Sequence, residues 1–205
     1  MTSIDDFLPI ILSAAPGVAE PTAFARVIQA AQVFCERTRL WRDEDTFSIT
    51  PTSCNVVCAP EGADLFEIES ASIDGSRLTP ISISDLDTRY PRWRELDTGQ
   101  GQWITQIEHG SVLVVPKCSG SLRLSTFLRP SDFADGLPDF LAQLYRQCIA
   151  DGALTEILML PGQPFTDPSR AQFYSIRFEA KLSELTNRTI KGQQRAPTRV
   201  RSNWF

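Results

Sequence analysis

The chain is 205 residues long and 42% hydrophobic, with a formal net charge of −5 and a pI near 5.0. That length fits one large domain or two small ones with a real apolar interior, and the acidic balance disfavours whole-surface nucleic-acid binding, which usually goes with a basic chain. One histidine and five cysteines with no C-x-x-C pair give no Cys/His zinc pattern, so no metal and no cofactor is expected.

At the N-terminus, Ser3-Ile4-Asp5-Asp6 reads as a capping box with Asp in the Glu position. Phe7, Leu8, Ile10, Ile11 and Leu12 follow in a short helix, kinked or ended at Pro9. Asp5 and Asp6 are read as charges favoured by the helix dipole, with a metal pair as the alternative. Glu20-Pro21 starts the first long helix, whose inner face is Phe24, Val27, Ile28, Ala31, Phe34, Cys35 and Thr38. Glu36, Arg37 and Arg39 point outward, Trp41 closes the helix, and Asp43-Glu44-Asp45 reads as a solvated acidic exit.

From Thr46 the apolar period changes to two. Phe47 and Ile49 alternate with polar residues, Cys54 to Cys58 is extended, and Phe66, Ile68, Ala71 and Ile73 mark a long strand. Asp74-Gly75 is a strong hairpin signal, with the chain returning over Leu78 to Ile83, and Ser84 to Asp87 suggests one helical turn. Tyr90, Pro91 and Trp93 lie in a loop-like stretch whose aromatics pin it to the sheet. Trp103 to Glu108, Val112 to Val115 and Leu122 to Leu128 read as strands, the first two joined by a turn at His109-Gly110.

Leu137-Pro138 opens the next helix, with Phe140, Leu141, Leu144, Tyr145 and Cys148 on one face and a stop near Pro161-Gly162. Gly152 inside it is a close-packing position or a hinge. Asp167-Pro168 starts the following helix, with an inner stripe of Ala171, Tyr174, Phe178, Lys181, Leu182 and Leu185, a Glu184–Arg188 pair on the outside and Gly192 as C-cap. The proline-rich connection sets these two helices as antiparallel neighbours.

Residues 193–205 then change character, carrying Arg195, Arg199 and Arg201, no acid, and the terminal pair Trp204-Phe205. The segment is either a disordered terminus or a docking tail, since aromatics and arginine carry interface binding energy and such a segment can order on its partner.

The expected fold is α+β, with an antiparallel helical bundle of three long helices at 1–45 and 130–192. An antiparallel β-rich module is inserted at 46–129, and the basic tail occupies 193–205. The N-terminus lacks a basic region before its apolar run, so no signal peptide is expected. No apolar stretch approaches the roughly 20 residues of a membrane span, which predicts no membrane partner. The cysteines read as reduced thiols packed as small hydrophobes. His109 stands in a turn with no G-x-S-x-G nearby, and no phosphate-cradling glycine loop is present, so catalysis is not expected.

Several phrases together resemble the head-to-tail adaptor (connector) proteins of tailed bacteriophages and phage-like particles. They are Phe7-Leu8-Pro9 with Pro16-Gly17, Phe34 to Thr38 with Trp41, and Ile73-Asp74-Gly75 with Leu78, Pro91 and Trp93. The C-terminal ones are Leu137-Pro138, Ile149 to Ala153, Leu158, Pro161-Gly162, Pro164-Phe165, Ala171, Tyr174, Phe178-Glu179-Ala180 and Arg199-Val200-Arg201. The resemblance implies a structural neck protein of the virion, made in the host cytoplasm, that forms a twelvefold ring with copies of itself under the portal. A tail protein would bind below, and genomic DNA would pass through the channel without sequence-specific binding. The portal contact would fall to Arg195, Arg199, Arg201, Trp204 and Phe205. A tail-completion or tube-terminating protein stays open as an alternative, as does a DNA-binding accessory acting through the basic tail.

Overall fold

A two-residue strand, β1 (Thr2–Ser3), begins the chain. Ser3 then caps a 3-10 turn at Ile4–Phe7 by accepting from the Asp5 amide at 3.2 Å. The structure is a computed structural model and describes residues 1–191 apart from Cys54, Leu96, Asp97 and His109. At Pro9, where a kink or an end was expected, the 3-10 turn gives way to an α-helix. Pro9 lies in the first turn of α1 (Leu8–Ala14), where its missing N–H has no helical partner to lose. Helix α2 (Glu20–Thr38) likewise has Pro21 in its first turn, and it ends where Arg39 turns left-handed (φ 51°) with its amide on the Cys35 carbonyl at 2.8 Å.

Next come β2 (Arg42–Ile49), β3 (Asn55–Val57), β4 (Ala63–Ile73), β5 (Ser76–Arg77), β6 (Thr79–Pro80), α3 (Ile83–Arg89), β7 (Trp103–Thr105), β8 (Ser111–Val115) and β9 (Gly120–Pro130). The chain closes with β10 (Gly136–Leu137), α4 (Asp139–Leu144), α5 (Arg146–Ile157) and α6 (Pro168–Lys191). It divides into two units, Met1–Leu40 with Pro130–Phe205, and Trp41–Arg129.

The expected bundle of three long helices is not what forms. Among the described residues there are six α-helices and three sheets of two to four strands. Only α2, at 19 residues, and α6, at 24, are long. The third expected helix is divided at Tyr145 (φ −126°, ψ 11°) into α4 of six residues and α5 of twelve. Two contacts favour the break. The Tyr145 ring packs on Phe34 with centroids 5.1 Å apart. The Arg146 Nε donates to the Ala142 carbonyl at 3.2 Å, the acceptor a continuous helix would give to the Arg146 amide. The break turns Leu144 outward, leaving it 71% exposed, and Phe140 is also exposed, so neither serves the inner face expected of it.

In the helical unit, α5 packs against both α2 and α6. Asp167 caps α6 through the Arg170 amide at 3.0 Å, and its own amide donates to the Leu158 carbonyl. Ala171, Phe178, Leu182 and Leu185 are buried, as the stripe required. Gly152 is a close-packing position: a Cβ there would stand 2.9 Å from Phe178 Cζ and 3.0 Å from the Ala30 Cβ. At the other end of α2, Arg37 pairs with Glu179 at 3.3 Å and its carbonyl accepts from Thr186 Oγ1 at 3.0 Å. The strands β1 and β10 pair antiparallel in a small sheet.

The second unit holds two four-stranded sheets, ordered β2-β9-β4-β5 and β3-β8-β7-β6. Asp43-Glu44-Asp45 is not a solvated turn; it forms part of β2, the edge of the first sheet, and pairs in register with Thr126, Ser125 and Leu124 of β9. The inserted module is not wholly antiparallel either, because β6 pairs with β7 in parallel, the connection between them running through α3. Asp74 (φ 46°) and Gly75 (φ 82°) both take the left-handed conformation that a tight hairpin between β4 and β5 requires. Along β4 the buried residues are Ala63, Leu65, Ala71 and Ile73, while Phe66 is exposed. Leu86, Trp93 and Val115 form a cluster with Ile81, Ile83, Trp103 and Leu113 that fastens α3 and the aromatic loop to the second sheet. Tyr90 stacks on Trp103 at 4.2 Å.

The Gly152 contact sets a test. Glycine to alanine inside a helix ordinarily gains about 1 kcal/mol, but here the added methyl meets the Ala30 Cβ, which cannot swing aside, and overpacking costs about 1–3 kcal/mol. Gly152→Ala is therefore expected to lower the urea midpoint of unfolding. A higher midpoint would mean that α5 and α2 separate easily.

Candidate interaction site on the helical unit

The division at Tyr145 opens a groove of about 420 Å³ between α4, the start of α5, and α6. Its apolar lining comes from Leu144, Tyr145, Cys148 and Ala180, and its polar lining from Gln147, Asp151, Arg177, Lys181 and Glu184. Residues in the first half of α5 face the middle of α6. Beside the groove, α6 presents Phe173 and Ile176, the latter 64% exposed, with the Arg177 guanidinium 5.5 Å over the Phe173 ring.

Asp151 is the buried charge of this site, its side chain 4% exposed. Arg177 reaches one carboxylate oxygen at 3.1 Å, and Gln147 Nε2 donates to the other at 2.9 Å. Burial raises its carboxyl above the ordinary 3.8, and the Gln147 hydrogen bond and the Arg177 charge only partly offset that. Lys181 pairs with Glu184 at 2.8 Å along the rim. Burial also pushes the Cys148 thiol up to about 12, with the Asp151 charge adding to the shift. The Cys35 thiol rises to about 12 from burial and then Glu36, and Cys58 to about 11 from burial.

The five residues expected to bind the portal, Arg195, Arg199, Arg201, Trp204 and Phe205, lie outside the described residues, as do Gly192, His109 and Cys54. Asp5 and Asp6 do not come together around an ion. Asp5 accepts from Ser3 Oγ at 2.8 Å, and Asp6 pairs with Arg146 at 3.4 Å. Among the described residues no group of three or more His, Cys, Asp or Glu could hold a metal. Glu184 pairs with Lys181 at 2.8 Å; the side chain of Arg188, its expected partner, lies outside the described residues. Sequence reasoning missed Asp151, Arg177 and the outward Leu144 as members of one site. The available signal was an aspartate set in the apolar run Cys148-Ile149-Ala150-Asp151-Gly152-Ala153.

What these features share is contact surface: a groove of mixed apolar and polar lining, exposed aromatic and aliphatic residues beside it, and carboxylates tied down by cations. The model of the SU10 adaptor protein family matches residues 4–201, nearly the whole chain, and the chain belongs to that family. It is thus a structural phage adaptor, a virion component that binds other virion structural proteins. No helix of the described residues is long and apolar enough to cross a membrane. No curated protein matches the chain.

Two measurements follow from the buried groups. Because folding raises the Asp151 carboxyl, the native chain holds that proton more tightly than the unfolded one. Its stabilising effect is then fully present at pH below the ordinary 3.8 and is lost as pH rises through the raised value. Asp151→Asn keeps the Gln147 contact and leaves Arg177 to water. Its melting temperature is expected to match the parent's in strong acid and to equal or exceed it above that range. A deficit growing with pH would show that the ion pair is net stabilising. Since the thiolate is the reactive form, Cys35, Cys58 and Cys148 should resist iodoacetamide at mildly alkaline pH until denaturant is added. Peptide mass mapping reads this directly.

Proposed function

We propose that this adaptor works at the head-to-tail junction, as a ring of twelve copies docked beneath the portal, with the tail attached below and the genome passing through the centre. The family match over residues 4–201 carries this reading. The helical unit supports it with surface suited to assembly: Leu144, Ile176, Phe173 and the 91% exposed Phe133 are apolar side chains that a neighbouring subunit would cover. The chain's acidity suits a lumen through which DNA slides, because an acidic wall does not hold phosphates.

In this reading residues 193–205 reach the portal, Arg195, Arg199 and Arg201 pairing with acids and Trp204-Phe205 filling apolar pockets. The free protein is a monomer or small oligomer, and the portal templates the ring.

The test is to mix the purified chain with the portal protein of the same phage and image the product by electron microscopy. A coaxial ring on the portal, lost on deleting residues 193–205, is the expected result. A stable ring sedimenting without portal would overturn the templating step, and no association at all would favour a tube-terminating protein. Salt-dependent DNA binding lost with the same deletion would favour a DNA-binding accessory.

A further inference from the structure

Phe133 is the most exposed large apolar side chain among the described residues, at 91%, yet the loop that carries it is held in place. Gln32 Nε2 donates to the Pro130 carbonyl at 3.1 Å and to Asp132 Oδ1 at 2.8 Å. The Ala134 amide donates to the Ser131 carbonyl at 3.2 Å, the Asp135 carbonyl accepts from the Ile4 amide, and Ala134 itself is buried. An aromatic presented on a fixed loop loses little freedom when a partner covers it.

The loop and the groove lie on different sides of the helical unit. On α2, Phe34 meets Tyr145 in the groove wall. Gln32, two residues earlier, is about 200° away round the helix at 3.6 residues per turn, and Gln32 is what holds the loop. Phe133 is therefore carried on the far side of α2 from its own groove.

We propose that Phe133 of one copy inserts into the groove of the next copy, against Leu144 and Ala180, in a head-to-tail contact. Closure of that contact into a ring rests on the function proposed above; the pairing of loop with groove does not.

The fit is one of both shape and charge. The groove's volume of about 420 Å³ falls in the roughly 300–1,000 Å³ range of ligand clefts, and Leu144, Tyr145, Cys148 and Ala180 give a ring an apolar lining. Of the four charged side chains there, Asp151 is buried; the three that meet water are two cations, Arg177 and Lys181, and one acid, Glu184. A guanidinium has five N–H donors and an ammonium three, more than a single carboxylate occupies. The loop sets Asp132 and Asp135 beside Phe133 and holds no cation from residue 130 to 138, so the acids flanking the aromatic meet the cations flanking the groove. Because loop and groove face different ways, the contact is heterologous. Copies joined so run head to tail and close into a ring where the rotation allows. One aromatic per joint makes a weak contact between dilute chains. It becomes effective once copies are held side by side, where effective concentrations are of order millimolar.

Cysteine cross-linking tests this. Ser131→Cys lies beside the aromatic and Ala180→Cys lies in the groove; both chains also carry Cys54→Ser, and the other four native cysteines are buried. Melting temperatures establish that the variants fold. A short bismaleimide is applied to the concentrated free chains and to their mixture with the portal protein. The two variants mixed are expected to give about tenfold more dimer than either alone, because only unlike sites meet in a heterologous contact. A chain carrying both cysteines is expected to give a ladder that runs past the dimer. Adding Phe133→Ala to the Ser131→Cys chain is expected to lower the mixed product about thirtyfold, the loss of a hot-spot truncation. No mixed product in either sample, equal product from one variant alone, a ladder that stops at the dimer, or product that survives Phe133→Ala would each overturn the proposal. Portal docking is read separately by imaging. Mixed product from chains that never dock defeats the portal reading alone, and rings on the portal that give no mixed product defeat this contact alone.

Discussion

The helical unit depends on how closely α5 can approach its neighbours, and Gly152 sets that distance. With no side chain there, the Ala30 methyl and the Phe178 ring both reach the α5 backbone. Ala150, Ala153 and Ala31 are also fully buried, so small residues line much of the contact. A helix drawn in this far buries groups that would otherwise stay wet, and the residue beside Gly152 is Asp151. A lone carboxylate in that position would be strongly unfavourable. It persists because Arg177, half in water, brings a charge to it while Gln147, one turn away on the same helix, supplies a hydrogen bond. The pair is better viewed as a locator than as a source of stability, because a buried ion pair gains little over apolar residues of the same size. It fixes which turn of α6 lies opposite which turn of α5.

Carboxylates play a similar part in the sheet unit. Asp87 accepts from the Trp93 indole at 2.8 Å and from the Arg94 guanidinium, which also lies 4.3 Å over the Trp93 ring. These hydrogen bonds, Arg94 first and Trp93 second, hold the Asp87 carboxyl below its ordinary value. Asp74 leaves its hairpin turn to accept the Ser121 amide at 2.9 Å, and Glu69 on β4 takes both Arg42 and Ser125. These three carboxylates fasten loops and strands of the sheet unit to one another.

Local signals in the sequence were strong where one residue decides the backbone. Asp74-Gly75, Glu20-Pro21, Asp167-Pro168 and the α6 stripe were all legible because their causes are short-range. The errors share a different origin. The continuous helix from Leu137 was drawn from the spacing of apolar residues, and spacing does not reveal that Tyr145 would be drawn onto Phe34, more than a hundred residues away. The strand from Ala63 to Ile73 is legible from its apolar residues, but which of them turn inward is not: Leu65 and the small Ala63 and Ala71 are buried while Phe66 is exposed. Asp43 to Asp45 looked like a turn because acids are poor strand formers, and only pairing with β9 makes them a strand. The groove was illegible for the same reason, being built from a helix break and a partner helix rather than from a motif.

The acidic run on β2 has a consequence for life at high copy number. A sheet edge exposes unpaired backbone groups and invites the matching edge of another molecule. Two copies meeting antiparallel along β2 about Glu44 would set Asp43, Glu44 and Asp45 of one against the same three residues of the other. Arg123 reaches only Glu44 among them, at 2.6 Å. Like charges facing one another across a ladder are unfavourable, so this strand is poorly suited to stitching chains into fibres. For a virion component, such an edge lets chains stand close together without this strand joining them.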